Sequence, residues 1–191
     1  MNLALIVRAA SAACVRSRMA SDRPLASPAS ARQDYVLGAN AAELERLGLQ
    51  HSLWSDAAHA LWKLAGIQPG WNVLDIGCGP GFCTLDLARI VGATLGAGPR
   101  GEVVGVDESK LFLDHLGEQA AARGVVNVRT VLCDAVHLAE APGVDEGFFD
   151  AAYARWLMCF VHDPATVVRS VHRALKPGGR VIVQDYFNYE A

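Results

Sequence analysis

Hydrophobic positions divide the chain into a helical first third and a longer region in which strands and helices alternate. Between residues 34 and 66, apolar side chains recur every three or four positions, which predicts helices that end at Gly66 and at Pro69-Gly70. Beyond them, short Val-rich runs bounded by Gly, Asp or Pro predict strands. The predicted strands cover 71–76, 102–107, 127–132, 149–154 and 179–186.

Helical periodicity fills most of the intervals between these strands. The predicted helices cover 82–92, 109–123, 135–141 and 164–175. Strands that alternate with helices and are apolar almost throughout form a parallel sheet covered on both faces. Because crossovers between parallel strands are right-handed, the pattern predicts a doubly wound α/β fold.

The composition fits a packed domain. The chain has 191 residues, of which 52% are hydrophobic and 19% charged, whereas disordered chains have low hydropathy and high net charge. No apolar run approaches the ~20 residues of a spanning helix, so no membrane span is expected. The five cysteines form no CxxC pair and the histidines have no ligand-like spacing. We therefore predict reduced thiols, a cytoplasmic location and no metal.

Charge is distributed unevenly. Residues 1–33 carry five arginines and one acidic residue, whereas the remainder carries twelve basic and nineteen acidic residues. This acidic body argues against a nucleic-acid partner, because phosphate binding needs a basic face. We expect residues 1–33 to form a poorly ordered arm before a domain at 34–191. The Arg-rich, Ser-rich composition of the arm is also that of a mitochondrial transit peptide, which is the alternative location.

The strongest chemical signal is a glycine-rich turn directly after the first predicted strand. Residues 73–82 have the sequence VLDIGCGPGF, with glycines at 77, 79 and 81. Glycine lacks the Cβ that would hold a ligand away, and it allows positive φ in a turn. In a doubly wound sheet, ligands bind beyond the carboxyl ends of the strands. A ligand is therefore expected to contact the backbone here.

Acidic residues follow the next two predicted strands. Asp107 ends the second strand, where a carboxylate can accept hydrogen bonds from adjacent ribose hydroxyls. Asp134 follows the third strand, where its carboxylate can accept from an exocyclic amine such as that of adenine. Together the two residues predict a nucleoside ligand.

The glycine spacing distinguishes two classes of nucleoside ligand. A dinucleotide site has the motif GxGxxG, but here Phe82 stands at the position of the third glycine. Asp107 also lies 30 residues after Gly77, instead of the ~20 typical of that motif. Pyrophosphate recognition is therefore disfavoured, and a nucleotide-dependent oxidoreductase is the weaker alternative.

Five segments in order resemble class I S-adenosylmethionine-dependent methyltransferases over residues 34–187, in particular small-molecule enzymes of the ubiquinone/menaquinone type. They are VLDIGCGPG (73–81), VVGVD (103–107), VLCDA (131–135), FDAAYARWLMCFVHDP (149–164) and LKPGGRVIVQDYF (175–187). The resemblance implies a Rossmann-like sheet with strand order 3-2-1-4-5. It also implies S-adenosylmethionine as cofactor and methyl transfer to a small-molecule acceptor.

By this resemblance the cofactor site has three parts. Asp75 and the glycines approach the methionyl end, Asp107 binds the ribose, and Asp134 with neighbouring backbone binds adenine. The predicted cofactor-binding residues are Asp75, Gly77, Cys78, Gly79, Gly81, Phe82, Asp107, Glu108, Cys133, Asp134, Ala135 and Arg155.

The acceptor side of the site has several candidate residues. They are Tyr153, Arg155, Trp156, His162, Tyr186 and Tyr189. By the resemblance, the first helical region with Tyr35, Gln50 and Trp54 lies over the cofactor mouth, and these three residues fit either that role or packing on the core. Tyr153 and Trp156 fit either an aromatic wall or the core, and Arg155 fits either an anionic substrate or the surface. His162 is of a type suited to base chemistry, but it directly precedes a helix cap at Asp163. No catalytic base is predicted.

The end of the chain departs from the family pattern. The usual sheet adds an antiparallel hairpin beside the fifth strand, and this chain ends at Ala191. We therefore expect the hairpin to be missing and the fifth strand, with Val181 and Val183, to be an exposed edge prone to pairing with another chain. A truncated inactive product or a non-catalytic nucleoside-binding partner is the alternative function, and the oligomeric state is left open.

Overall fold

A computed structural model describes residues 2–8, 41–93 and 100–186. Its elements in chain order are β1 (Asn2–Arg8), α1 (Ala41–Ala65), β2 (Val73–Ile76), α2 (Phe82–Gly92), β3 (Val103–Asp107), α3 (Lys110–Ala122), β4 (Val128–Leu132), a 3-10 helix (Ala135–Glu140), β5 (Phe149–Arg155), α4 (Pro164–Ala174) and β6 (Leu175–Tyr186). All five predicted strands are present. The segment predicted as a helix at 135–141 forms the 3-10 helix, and β6 begins earlier than predicted.

The strands form one six-stranded sheet in the order β1-β6-β5-β2-β3-β4. Every neighbouring pair from β6 to β4 is parallel. Numbered as the five predicted strands, this parallel part has the order 3-2-1-4-5, which confirms the expected fold class. The chain first adds strands on one side of β2 and then returns to its other side. The carboxyl ends of β2 and β5 therefore meet at the switch point where ligands of this fold class bind.

Apolar layers cover both faces of the parallel strands. On one face Trp62 of α1 meets Tyr153 of β5 edge to face, with ring centroids 5.3 Å apart, and both side chains are fully buried. On the other face Phe149 and Leu74 pack with Val171 of α4. The sheet is thus held between α1–α2 and α4, which fixes the strand ends that carry the site. None of the helices within the described ranges is long and apolar enough to cross a membrane.

The first strand corrects two expectations. The poorly ordered arm predicted at 1–33 is wrong at its start, because Asn2–Arg8 pairs antiparallel with β6, from Asn2 opposite Tyr186 to Arg8 opposite Arg180. The exposed edge predicted on β6 is wrong for the same reason. Residues 3–7 are a run of apolar side chains that includes the β-branched Ile6 and Val7, and an unpaired strand edge is a template for such a run. Residues 9–33 lie outside the described residues.

Breaking β1 is expected to loosen β6. In an antiparallel pair, alternate residues bond to the partner strand, so proline at both Leu5 and Ile6 removes at least one hydrogen bond of the ladder. We expect the free energy of unfolding to fall by roughly 1–3 kcal/mol. Hydrogen exchange should show faster exchange at every second amide between Val181 and Asp185. The Leu5→Thr/Ile6→Thr variant, which keeps the backbone donors, is the control, and unchanged protection in the proline variant would contradict the pairing.

The helical first third is one long helix instead of several. α1 ends where Gly66 adopts φ +72°, as the sequence predicts. Its inner face buries Ala58 and Trp62, whereas Leu53 on the outer side is 73% exposed. Part of the apolar surface of α1 is therefore not covered by the described residues. Residues 34–40, which include Tyr35, lie outside the described residues.

Candidate functional site

The glycine-rich turn links β2 to α2 with the backbone geometry that the sequence predicts. Gly77, Gly79 and Gly81 have φ values of +64°, +55° and +83°. A Cβ on Gly81 would collide with Leu116, and one on Gly77 would lie 2.9 Å from a methyl of Leu157. A Cβ on Gly79 would meet nothing within 4 Å. Gly77 and Gly81 are therefore required for packing, whereas the Gly79 backbone is accessible from outside.

Asp107 holds the glycine turn in place. Its Oδ2 accepts a hydrogen bond from the Gly79 N–H and its Oδ1 accepts one from the Ser109 N–H, both at 2.8 Å. Burial raises the pKa of this carboxyl, and the backbone N–H groups act in the opposite direction. A carboxylate has about four lone-pair sites, and the N–H groups of Gly79, Ser109 and Glu108 use at most three of them. Acceptor capacity therefore remains for a ribose hydroxyl.

A second acidic group lies beside Asp107, at the ends of β3 and β4. One carboxylate oxygen of Asp134 caps the 3-10 helix by accepting from the Val136 N–H at 3.0 Å. The pKa of Glu108 is raised by burial and by repulsion from the charges of Asp134 and Asp107. Cys133 and Ala135 flank Asp134, and Ala135 is buried. This end of the site therefore carries several negative charges close together.

Asp75 is buried beneath the turn. Its side chain is 2% exposed, and Oδ2 accepts from the Thr84 hydroxyl at 2.7 Å. Burial raises the pKa of Asp75 from its ordinary 3.8 to about 7, although the Thr84 hydrogen bond and the charge of Arg155 both act to lower it. A buried carboxylate of this kind is stabilised by a nearby cation.

Arg155, at the end of β5, supplies positive charge to the same region. Its guanidinium carbon lies 4.7 Å from the centre of the Trp156 ring, and its Nη2 lies 3.3 Å from Nδ1 of His51. Its Nη1 is buried and has no hydrogen-bond partner among the described residues. A buried charged donor without a partner is costly, so this nitrogen suits an anionic group of a ligand.

Two residues near Arg155, His51 and Cys83, are not singled out by the sequence. His51 of α1 stacks on Phe82 with ring centroids 5.5 Å apart, and its Nε2 lies 3.2 Å from Oδ2 of Asp86. Cys83 is 3.9 Å from Nδ1 of His51, but burial raises the pKa of its thiol to about 12, so it is not a thiolate. Sequence spacing carries no signal for this cluster, since its members come from α1, α2 and β5.

The other sequence candidates fall in different places. Tyr153 is core, because it is fully buried and its hydroxyl donates to Gln184 Oε1 at 2.7 Å. Trp156 adopts φ +51° and meets Trp54 edge to face at 6.4 Å, so both lie beside Arg155. His162 is exposed next to the helix cap.

Four further candidates remain. Cys78 is buried under the turn, and Gln50 of α1 lies near Arg46, 3.4 Å from its Nη1. Tyr189 and the side chain of Tyr186 lie outside the described residues.

Comparison with known proteins identifies the family. The family model described as a methyltransferase domain matches residues 73–179. The chain belongs to this family. The matched range runs from the start of β2 into β6, and it contains the glycine turn, Asp107, Asp134 and Arg155. The resemblance of the motifs to class I S-adenosylmethionine-dependent methyltransferases is therefore confirmed, and S-adenosylmethionine is the cofactor of this class.

Individual relatives of this methyltransferase domain agree with the family. A ubiquinone/menaquinone biosynthesis C-methyltransferase of Idiomarina loihiensis is 34% identical over 144 residues, covering 72% of this chain and 53% of that protein. The chain thus spans about half the length of the curated relatives it matches. A methyltransferase structure from Aquifex aeolicus shares the fold, with a TM-score of 0.60 and 20% identity over 70% of this chain and 65% of that chain.

A second solved structure contains the cofactor. Phosphoethanolamine N-methyltransferase 2 of Haemonchus contortus, in complex with S-adenosyl-L-methionine, has a TM-score of 0.56 and 26% identity. The match covers 68% of this chain and 27% of that one.

Proposed function

We propose that this methyltransferase domain binds S-adenosylmethionine at the carboxyl ends of β2, β3 and β5 and transfers its methyl group to a small apolar acceptor. The observation that carries the proposal is the Asp107 carboxylate, which bridges the N–H groups of Gly79 and Ser109 at 2.8 Å. It sits beside an open glycine backbone, and its bonds to the backbone N–H groups, including that of Glu108, leave acceptor capacity for a further donor. This arrangement suits a ribose diol packed against the turn.

The charges of the site favour a cationic ligand over a pyrophosphate. Asp107, Glu108 and Asp134 interact repulsively at the nucleoside end, and Asp75 is buried beneath the turn. A pyrophosphate would add negative charge to this group, which argues against the dinucleotide oxidoreductase alternative. A sulfonium and an α-ammonium group would instead be attracted to it. No observation in the described residues favours the non-catalytic alternative.

The methionyl end of the cofactor carries an α-carboxylate and an α-ammonium group, and each needs a partner of opposite charge. The buried Nη1 of Arg155 suits the α-carboxylate, and Asp75 suits the α-ammonium. These two side chains already attract each other, because the charge of Arg155 lowers the pKa of Asp75. Their opposite charges match those of an amino-acid zwitterion.

The residues of the site would act mainly by alignment. When bound, S-adenosylmethionine supplies a methyl group on a sulfonium, which carries its own leaving group. Holding donor and acceptor in line can provide ~7–11 kcal/mol of the barrier. Asp107 would hold the ribose, Arg155 and Asp75 would hold the amino-acid group, and the packed glycine turn would keep them at fixed separations. No described side chain is assigned as a base, since His162 is exposed beside a helix cap.

Aromatic side chains next to Arg155 support an apolar acceptor. Trp54 and Trp156 meet at 6.4 Å beside the site. A planar, weakly polar molecule would pack against such a rim. A quinol with a short isoprenoid chain has this chemistry, and the Idiomarina loihiensis relative is named for such compounds.

Calorimetry on the full chain tests the proposal. S-adenosylhomocysteine, the product form of the cofactor, should bind, whereas NAD should not. Transfer of an isotopically labelled methyl group to a demethylated short-chain quinol tests the acceptor class. Binding of NAD with no binding of S-adenosylhomocysteine would reverse the assignment.

The glycine turn offers a matched pair of variants. Gly79 and Gly124 have similar φ values, +55° and +63°, and a Cβ at either position would meet nothing within 4 Å. Gly79→Ala and Gly124→Ala should each lose about 1–2 kcal/mol of stability, because alanine disfavours left-handed backbone. Only Gly79→Ala should lower the affinity for S-adenosylhomocysteine, by about tenfold or more. Equal affinities of the two variants would show that the ligand does not pack on Gly79.

A further inference from the structure

The pair formed by His51 and Asp86 lies next to Arg155. His51 comes from the middle of α1 and Asp86 from α2, and their side chains are 15% and 18% exposed. Asp86 Oδ2 lies 3.2 Å from Nε2 of His51 and 3.2 Å from Nε2 of His59. Burial alone would raise the pKa of Asp86, but its interactions with the two histidines outweigh burial and lower it. Asp86 is therefore ionised and accepts from both rings.

The contacts of His51 determine which of its nitrogens carries the hydrogen. Arg155 can only donate hydrogen bonds, and its Nη2 lies 3.3 Å from Nδ1 of His51. Nδ1 must therefore be the acceptor in this contact, and Nε2 carries the hydrogen donated to Asp86. The Asp86 carboxylate thus fixes the tautomer that allows His51 to accept from the guanidinium.

Arg155 is consequently held on two sides. His51 accepts from Nη2, and the Trp156 ring lies against the guanidinium at 4.7 Å. The buried Nη1, without a partner among the described residues, is left to bind an anion. A flexible arginine loses side-chain entropy when a ligand orders it. Fixing Arg155 in advance lowers that cost.

We propose that His51, oriented by Asp86, is a positioning residue that holds Arg155 ready for the α-carboxylate of the cofactor. This inference rests on the proposed function, since it presupposes a methionyl group at Arg155. Within the described residues, the polar contacts of His51 are with Asp86, Arg155 and Cys83, and do not include Asp107. Its effect is therefore confined to ligands that carry the carboxylate.

Two ligands that differ by one group separate positioning from general support of the fold. S-adenosylhomocysteine carries the carboxylate, and its decarboxylated analogue S-adenosyl-3-thiopropylamine lacks only that group. In His51→Phe the ring that stacks on Phe82 is kept and both nitrogens are lost. Calorimetry should show about a tenfold loss of affinity for S-adenosylhomocysteine, the size of one charge-assisted hydrogen bond. The affinity for the analogue should change by less than about twofold, because it lacks the carboxylate that Arg155 would bind.

The control variants use the neighbouring residues. His59→Phe removes the other histidine bound to Asp86 and should change neither affinity. His51→Gln keeps an acceptor for Arg155 and should restore part of the loss. In an Arg155→Ala background, His51→Phe should have no further effect on the ratio of the two affinities.

The possible outcomes are distinct. Equal losses for both ligands, or no loss for either, would overturn the positioning role while leaving the proposed function intact. Failure of the unaltered chain to bind S-adenosylhomocysteine would overturn both. If His51→Phe does not fold, Asp86→Asn replaces it. That variant keeps an oxygen but adds an NH2 group that can donate to His51 Nε2, so the tautomer is no longer fixed, and binding of S-adenosylhomocysteine should weaken selectively, by a few-fold.

Discussion

Replacing Asp107 with alanine is expected to lower the affinity for S-adenosylhomocysteine by about a hundredfold or more. The variant loses two acceptors for the ribose hydroxyls, and hydrogen bonds to a charged group contribute ~1.5–3 kcal/mol each. It also releases the Gly79 N–H and the Ser109 N–H, which the carboxylate now holds at 2.8 Å. The variant therefore loses the hydrogen bonds to the ribose and also the bonds that hold the glycine turn in place.

Two further variants separate these effects. Asp107→Asn keeps an oxygen for one backbone N–H and removes the charge, so it should fall between the alanine variant and the unaltered chain in affinity. Asp114→Ala removes an exposed carboxylate that pairs with Lys110 on α3, and it should bind normally. The measurement is titration calorimetry at constant pH and salt. Normal binding by Asp107→Ala would place the nucleoside somewhere other than the end of β3.

The parallel part of the fold could be predicted from local features of the sequence. β2, β3 and β5 are short, largely apolar runs, and each ends at a charged residue or directly before a glycine. Right-handed crossovers then leave little choice of topology. The positions of Asp107 and Asp134 could also be predicted from this order, because parallel strands bring their carboxyl ends to one edge of the sheet.

The position of β1 could not be obtained in this way. Its pairing depends on the free edge of β6, which lies at the other end of the chain. An apolar run as short as residues 3–7 has no helical or strand period strong enough to locate its partner. Local patterns therefore predict an arm here, whereas the edge of a distant strand determines the outcome.

The surroundings of Arg155 were equally beyond prediction. His51 is 104 residues from Arg155 in sequence, and its place on α1 repeats no recognisable spacing. The left-handed backbone of Trp156 is also unexpected, since large side chains rarely adopt positive φ. It is held by the Trp156 N–H, which donates to the Gln184 carbonyl at 2.9 Å. Such strain is found preferentially at functional sites, and here it places an aromatic ring against the guanidinium.

Asp75→Asn is expected to stabilise the folded chain and to lower its affinity for the cofactor at the same pH. Burial raises the pKa of Asp75 from 3.8 to about 7, so the folded chain holds a proton that the unfolded chain has released. The free energy of unfolding therefore falls as pH rises from about 4 to about 7, and Asp75 adds no further change above that range. Asparagine removes this dependence. At pH 8 the variant should be more stable by on the order of 3 kcal/mol.

The cofactor affinity should change in the opposite direction. At pH 8 the Asp75 carboxylate is ionised and attracts an α-ammonium group, so Asp75→Asn should weaken S-adenosylhomocysteine by about tenfold. At pH 5.5 Asp75 of the unaltered chain is itself largely protonated, and the difference between the two proteins should nearly vanish. Thermal unfolding and calorimetry at both pH values measure the two effects. Asp114→Asn, at an exposed position of α3, is the control. An Asp75→Asn variant that binds normally at pH 8 would assign the buried carboxylate to the fold alone, a role in which its charge only lowers stability.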